Sequence, residues 1–273
     1  MKDKVVIITG ASSGIGLATA KKFAAEGCKT VLAARSVDKL QDLQAEIRSL
    51  FQTECICIGV DVTIEEDCKL LINKSIDAFG RIDILINNAG ISMKAAFADL
   101  DLDVLKKVMD VNFWGTVYCS KYALPHILKS KGSIVGVSSI AGYRGLPGRT
   151  GYSASKFAMQ GFLESLRTEH LYDDIHIMIF CPGYTASNIR HKALLSGGEM
   201  QGDSPRKEKA MMTAEEVADV LYTGVKKRKE IVTLTTQGKL TVFLNKWVPT
   251  FMDKLVFNEI AKEKDSPFKK PTN

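Results

Sequence analysis

Proline and cysteine are scarce in this sequence, at 7 and 6 of 273 residues, and glycine reaches only 21. That composition excludes collagen-like repeats, low-complexity chains and disulfide scaffolds. No CxxC pair occurs and no histidine lies near a cysteine at zinc spacing, so no metal site is expected. Nowhere do 18 uncharged apolar residues run together, so no membrane-spanning helix is expected. Met1 to Lys4 leads straight into an apolar strand, so no secretory leader is expected. Cys28, Cys55, Cys57 and Cys181 lie in or beside apolar runs, where a free thiol acts as a small hydrophobe. The reducing cytoplasm is therefore the expected location.

What is present is ordinary for a globular chain: 45% apolar and 25% charged residues. A chain of this length buries roughly three quarters of its unfolded surface, so its core needs no covalent staples. The net charge of +6 comes from 37 basic against 31 acidic residues. The excess is local, at Lys226 to Lys229 and at Lys269-Lys270. Cations ending a helix complement its dipole, and no nucleic-acid partner is inferred from them.

Short apolar strands alternate with helical periodicity along most of the chain. Strands are expected at Val5 to Thr9, Thr30 to Ala33, Cys55 to Val60, Ile82 to Ile86, Ser133 to Val137, Ile175 to Phe180 and Glu230 to Leu234. Helices are expected at Gly14 to Gly27, Val37 to Leu50, Glu65 to Phe79, Leu102 to Leu128, Tyr152 to Leu171 and Ala214 to Lys227. Continuously apolar strands separated by helices indicate a parallel sheet covered on both faces. The expected fold is thus α/β: a single Rossmann-type, doubly wound domain over residues 1–235, with a seven-stranded parallel sheet flanked by helices. Residues 236–273 form a helical C-terminal extension with a polar tail.

The first strand ends in Thr9-Gly10-Ala11-Ser12-Ser13-Gly14-Ile15-Gly16, which opens the first helix. Such glycines permit a tight turn and close approach of a pyrophosphate, and the helix start offers free N–H groups. The second strand ends Ala34-Arg35-Ser36, where many NAD sites place a carboxylate for the ribose 2′-hydroxyl. A guanidinium can instead hold a 2′-phosphate, so NADP(H) is expected over NAD(H), unless Arg35 is a plain surface residue. Asp61, after the third strand, is read either as a contact to the adenine amino group or as a helix cap.

Tyr152 and Lys156 are four residues apart, one turn apart on a common helix face. For a tyrosine to exchange protons near neutrality, its ordinary pKa of about 10 must fall by roughly 3 pH units, equivalent to about 4 kcal/mol. A neighbouring ammonium favours the phenolate.

With these motifs in order, the chain resembles the short-chain dehydrogenase/reductase family. Further matches are Asn87-Asn88-Ala89-Gly90 after the fourth strand, Asn112 in the long helix, Ser138-Ser139 ending the fifth strand, and Cys181-Pro182-Gly183 after the sixth. Ser139 precedes Tyr152 by 13 positions. The resemblance covers about Lys4 to Leu234 and implies roles. Tyr152 would protonate the substrate oxygen in reduction and accept the proton in oxidation. Ser139 would hydrogen-bond that oxygen. Lys156 would lower the Tyr152 pKa and bind the nicotinamide ribose. Asn112 would hold a water linking Lys156 to solvent. The cofactor would lie along Gly10, Ser12, Ser13, Gly14, Ile15, Gly16, Arg35, Asp61, Val62, Asn88, Ala89, Gly90, Pro182, Gly183 and Thr185, reaching Tyr152 and Lys156. The chain departs from some NADP-preferring members in having Ser13 where they carry a second basic residue, which leaves Arg35 as the main basic determinant.

After Gly183, a polar stretch over about residues 184–212 is expected to close over substrate, with weak order from about Leu194 to Lys209. From Leu240 to Phe257 apolar residues recur at helical spacing, interrupted by Pro249. This segment either packs on its own domain or a sister subunit, or rests in a membrane interface. Asn258 to Asn273 is expected to fray. The tail, the Ala34-Arg35-Ser36 turn and Tyr143-Arg144-Gly145-Leu146-Pro147 resemble the branch near the microsomal hydroxysteroid dehydrogenases and sphingolipid ketone reductases. The resemblance implies a large apolar ketone substrate, with Phe97, Tyr143, Leu146 and Tyr184 as candidate pocket residues, and a homodimer or homotetramer. A dehydrogenase running toward oxidation and a non-catalytic nucleotide sensor are the alternatives.

Overall fold

In the computed structural model, described over residues 1–183, 185, 189–202, 211–263 and 266–268, seven strands form one parallel sheet. They are β1 (Val5–Thr9), β2 (Lys29–Ala34), β3 (Cys55–Gly59), β4 (Ile84–Asn87), β5 (Ser133–Val137), β6 (His176–Cys181) and β7 (Ile231–Thr233). Their order is β3-β2-β1-β4-β5-β6-β7, with Val6 of β1 level with Thr30 of β2 and Ile84 of β4. The sheet and its topology match the Rossmann-type expectation.

The continuous apolar runs have a plain cause. Side chains alternate between the two faces of a strand, and both faces are covered here. In β1, Val6 and Ile8 pack with Phe23 of α1 (Gly14–Ala25), Leu40, Leu43 and Ile47 of α2 (Val37–Phe51) and Leu221 of α7 (Ala214–Lys226). Val5 and Ile7 point the other way, toward Leu71 and Ile72 of α3 (Glu65–Phe79), Cys119 and Ile127 of α5 (Gly115–Ser130) and Met159 and Leu163 of α6 (Thr150–Glu169). All six cysteines are free, and Cys57 alone among them is not fully buried.

The long helix expected from Leu102 to Leu128 is not continuous. It comprises α4 (Leu102–Met109), a π-helical turn at Asp110–Trp114 and then α5. A one-residue widening leaves the apolar periodicity nearly intact, which is why the pattern does not betray it. At the C-terminal end, Pro249 divides the expected segment into α8 (Thr236–Trp247) and α9 (Pro249–Ala261), taking the first position of α9, where its missing N–H costs nothing.

Candidate active site

The strand order reverses at β1, whose neighbours are β2 and β4. Loops leaving the carboxyl ends of such strands diverge to opposite faces and open a crevice. A cleft of about 340 Å³ lies there, lined by the loops after β1 to β6.

The glycine loop forms its floor. Gly10 has φ of +66°, and a Cβ there would lie 2.9 Å from the Ala89 Cα. A Cβ on Gly16 would lie 2.3 Å from the Gly10 carbonyl oxygen, so α1 can pack against the turn only with glycine there. Ser13 precedes α1 without a side-chain cap, and the first turn of α1 carries no acidic residue. These are the features of a cradle for a phosphate group. Thr9 and Asn88 brace it. The Thr9 hydroxyl oxygen accepts from the Asn88 and Ala89 N–H groups, both at 3.0 Å, and the Asn88 amide donates to the Thr9 carbonyl at 2.9 Å.

Gly10, Ser12, Ser13, Gly14, Ile15, Asn88, Ala89, Gly90, Pro182, Gly183 and Thr185 line the cleft, together with Arg35, Asp61 and Val62. Gly16 lies beneath it as packing. The Arg35 side chain is 66% exposed, with its guanidinium 3.9 Å from the Asp61 carboxylate. Asp61 does not cap α3, whose cap position is Ile64; its Oδ1 accepts from the Thr63 N–H at 3.1 Å and hydroxyl at 2.9 Å. No acid stands at Ala34 or Ser36. The residues present thus fit a dinucleotide, and the Arg35 end fits one with an additional phosphate.

Ser139, Tyr152 and Lys156 line the same cleft. Ser139 starts a short 3₁₀ turn and its hydroxyl oxygen accepts from the Ala141 N–H at 3.1 Å. Tyr152 lies on the first turn of α6 and hydrogen-bonds Ser139. Lys156, 3% exposed, donates to the Val137 carbonyl at 2.8 Å, with its Nζ 5.8 Å from the centre of the Tyr152 ring. Burial is the largest influence on both. It raises the Tyr152 pKa above the ordinary phenol value, against the Ser139 hydrogen bond and the Arg149 charge. It lowers Lys156 to about 8. The lowering influence on Tyr152 expected from Lys156 falls here to Ser139 and Arg149.

Asn112 lies within the π-helical turn and is fully buried. Its Oδ1 accepts from the Ile91 N–H at 2.8 Å, and its Nδ2 donates to the Ile91 carbonyl and the Ser155 hydroxyl, both at 2.9 Å. It therefore ties the loop after Gly90 to α6. The π turn rotates Asn112 into this place, a use of such turns that recurs at functional sites.

Of the candidate substrate residues, Leu146 lines the cleft. Phe97 does not: it begins a short 3₁₀ turn and is 61% exposed. Tyr143 turns inward onto the core instead, and burial raises its pKa to about 12. Tyr184 lies outside the described residues, as do residues 203–209 of the segment expected to be weakly ordered. Residues 194–202 of that segment carry turns and bridges, with Leu194 paired to Met93 and Met200. Residues not foreseen also line the cleft: Ile91, Val111 and Ile189 add apolar surface, and Arg149, Arg190 and Lys192 add cations. Ile91, Val111 and Arg149 lie one to three residues from Gly90, Asn112 and Tyr152, whereas Ile189, Arg190 and Lys192 come from the segment after β6 that only the fold brings to the cleft. The expected fraying after Asn258 is also overturned in part. α9 continues to Ala261, Glu263 is buried, and Phe268 packs on Gly148.

Comparison with known proteins agrees with this geometry. A sequence profile described as short chain dehydrogenase matches residues 4–195. Dehydrogenase/reductase SDR family member 7B of Mus musculus is 33% identical over 271 residues, 97% of this chain and 84% of the relative. The 11-beta-hydroxysteroid dehydrogenase 1A of Arabidopsis thaliana is 36% identical over 245 residues, 87% of this chain and 70% of the relative. An alcohol dehydrogenase from Thermococcus sibiricus, solved with 5-hydroxy-NADP, superposes with a TM-score of 0.77 at 25% identity, covering 85% of this chain and 96% of that one. A Burkholderia phymatum short-chain dehydrogenase/reductase solved with NAD shares the fold at a TM-score of 0.81 and 22% identity, over 100% of this chain and 97% of that one. The chain belongs to the short-chain dehydrogenase/reductase family, oxidoreductases acting on CH–OH groups with nicotinamide cofactors, near the hydroxysteroid dehydrogenase branch.

Proposed function

We propose that the protein is an NADPH-dependent reductase of a lipophilic ketone. The observation that carries the reading is that Ser139, Tyr152 and Lys156 line one cleft with the glycine loop, together with Leu146, Ile91, Val111 and Ile189. The bound nicotinamide supplies the hydride in reduction and takes it up in oxidation. Tyr152 donates its hydroxyl proton to the substrate oxygen. Ser139 hydrogen-bonds the same oxygen. Lys156 orients the ribose and, with Asn112, replenishes the proton. The apolar lining selects a carbonyl compound with a large hydrocarbon body. Running toward oxidation uses the same groups in reverse.

Arg35 supports NADP(H), with its exposed guanidinium available to a phosphate and, among the described residues, paired with Asp61 at 3.9 Å. The decisive experiment follows NADPH and NADH oxidation against ketones from small diketones to steroids and 3-ketosphinganine, with Tyr152→Phe as control. Turnover with NADPH on a bulky ketone, lost in Tyr152→Phe, is expected. Arg35→Glu is expected to reduce the preference for NADPH by roughly tenfold or more, about 1.4 kcal/mol. Turnover by the unaltered protein with NADH alone refutes the Arg35 argument. Cofactor binding without turnover on any ketone favours the nucleotide sensor.

A second reading concerns location. Leu240, Phe243 and Trp247 on α8, Val248 at the junction, and Phe251 and Leu255 on α9 are each 39–67% exposed. The Lys246 ammonium lies 5.6 Å from the Trp247 ring centre. Aromatic residues edged by lysines suit the interface of an anionic bilayer. Among the described residues no helix is long and apolar enough to cross a membrane. A cytoplasmic protein held at a membrane surface, assembled as a homodimer or homotetramer, accords with these features.

A further inference from the structure

The C-terminal extension is fastened to the segment that joins Ser139 to Tyr152. Arg144 donates to the Asn245 side chain at 3.0 Å and pairs with Asp253; Asn245 donates to the Tyr143 carbonyl at 2.8 Å. The Phe268 ring would lie 3.1 Å from a Cβ on Gly148, and it packs edge-on against Phe257. The innermost of these contacts is an ion pair. Arg149 Nη2 is 3.0 Å from Glu263 Oε2, with side-chain exposures of only 14% and 4%.

Arg149 occupies the cap position of α6 and lines the cleft. It precedes Tyr152 by three residues, the spacing at which side chains on a helix surface are neighbours. A guanidinium is the wrong sign for a helix N-terminus, and a buried cation needs a partner. Glu263, from beyond the end of α9, meets both needs.

We propose that Arg149 and Glu263 are a positioning pair for Tyr152: the C-terminal extension, through the Glu263 carboxylate, sets how strongly the Arg149 charge acts on the phenol. This rests on the reading of Tyr152 as the proton donor. The Arg149 charge favours the phenolate, and Glu263 moderates it. Other charged or titratable groups around the phenol are Lys156 on α6 and Cys181 at the end of β6. Lys94 lies on the segment whose next residue, Ala95, hydrogen-bonds Gly148, and Arg190 and Lys192 line the far lip. The pair differs from all of these because its two members act with opposite sign.

The test is a ¹³C titration of protein labelled at tyrosine Cζ, with the Tyr152 resonance identified among the seven tyrosines by its loss in Tyr152→Phe. Glu263→Gln is expected to ionise Tyr152 at lower pH than the unaltered protein. Arg149→Gln is expected to ionise it at higher pH, or not below the alkaline limit of folding. Arg149→Lys, which keeps the charge, is expected to follow the unaltered protein. A purely structural pair predicts movement in one direction for both neutral variants. That result, or no earlier ionisation in Glu263→Gln, overturns the proposal. If Glu263→Gln does not fold, Arg149→Gln against Arg149→Lys decides alone, and coincident titrations overturn it. The readout needs no turnover. Opposite displacements with no ketone reduced by any protein would reject the reductase reading and keep the pair.

Discussion

Lys156 sits where its charge is costly, and removing it should make the protein more stable. The side chain is 3% exposed, and its ammonium has the Val137 carbonyl as an acceptor at 2.8 Å. Burial lowers its pKa from 10.5 to about 8. The sign follows from proton counting: between about 8 and 10.5 the unfolded chain holds a proton that the folded protein has released, so stability rises with pH across that window. Below it, both states are charged and the folded protein carries the whole penalty, about 3 kcal/mol. Lys156→Met keeps the stem's volume and removes the penalty. It also leaves the Val137 carbonyl unpaired, which costs about 1–3 kcal/mol. The net expectation at pH 7 is a gain of about 1 kcal/mol, or roughly 2–4 °C in Tm, with turnover lost. Thermal unfolding at pH 7 and pH 10 measures it. The advantage of the variant should fall at the higher pH and reverse in sign, since there the native lysine is neutral and still bonded. A variant less stable at pH 7, with a deficit that does not grow with pH, would refute the reasoning.

Asn112→Ala removes three hydrogen bonds, two of them to Ile91, and should cost about 2–4 kcal/mol along with turnover; chemical denaturation checks it. Asp83, 2% exposed, accepts from Lys4, both sides of the Arg81 fork and the Val5 N–H. Burial acts to raise its pKa, but these bonds together hold it below the ordinary carboxylate value. Its stabilisation is therefore full above about pH 4 and declines as pH falls through the folded value. Asp83→Asn should cost about 2–3 kcal/mol at pH 7 and blunt the acid limb of the stability profile. Replacing Phe243, Trp247 and Phe251 together by serine should abolish flotation with anionic liposomes and leave Tm nearly unchanged, because each is more than half exposed. Flotation retained by that variant would reject the membrane reading.

The periodicity of the chain alone determined the seven strands and the helices α1, α2, α3, α6 and α7 around them, whereas the single helix it implied from Leu102 to Leu128 is divided by the π turn into α4 and α5. The physical reason is that a parallel sheet buried on both faces demands continuous apolar runs, and β1 and β6 are buried at every position. Tyr152 and Lys156 were legible as a pair one turn apart on a helix, while Ser139 and Asn112 were legible only through the resemblance of the ordered motifs to a known family. Tertiary structure alone decided what those residues touch. The π turn that carries Asn112 inward barely disturbs the apolar pattern. Phe97 and Tyr143 are both aromatic and near the site in sequence, yet one faces solvent and the other the core, which hydrophobicity does not distinguish. The Arg149–Glu263 pair joins residues 114 positions apart. A pairing over that distance leaves no local trace, because it depends on where α9 comes to rest and not on any spacing along the chain.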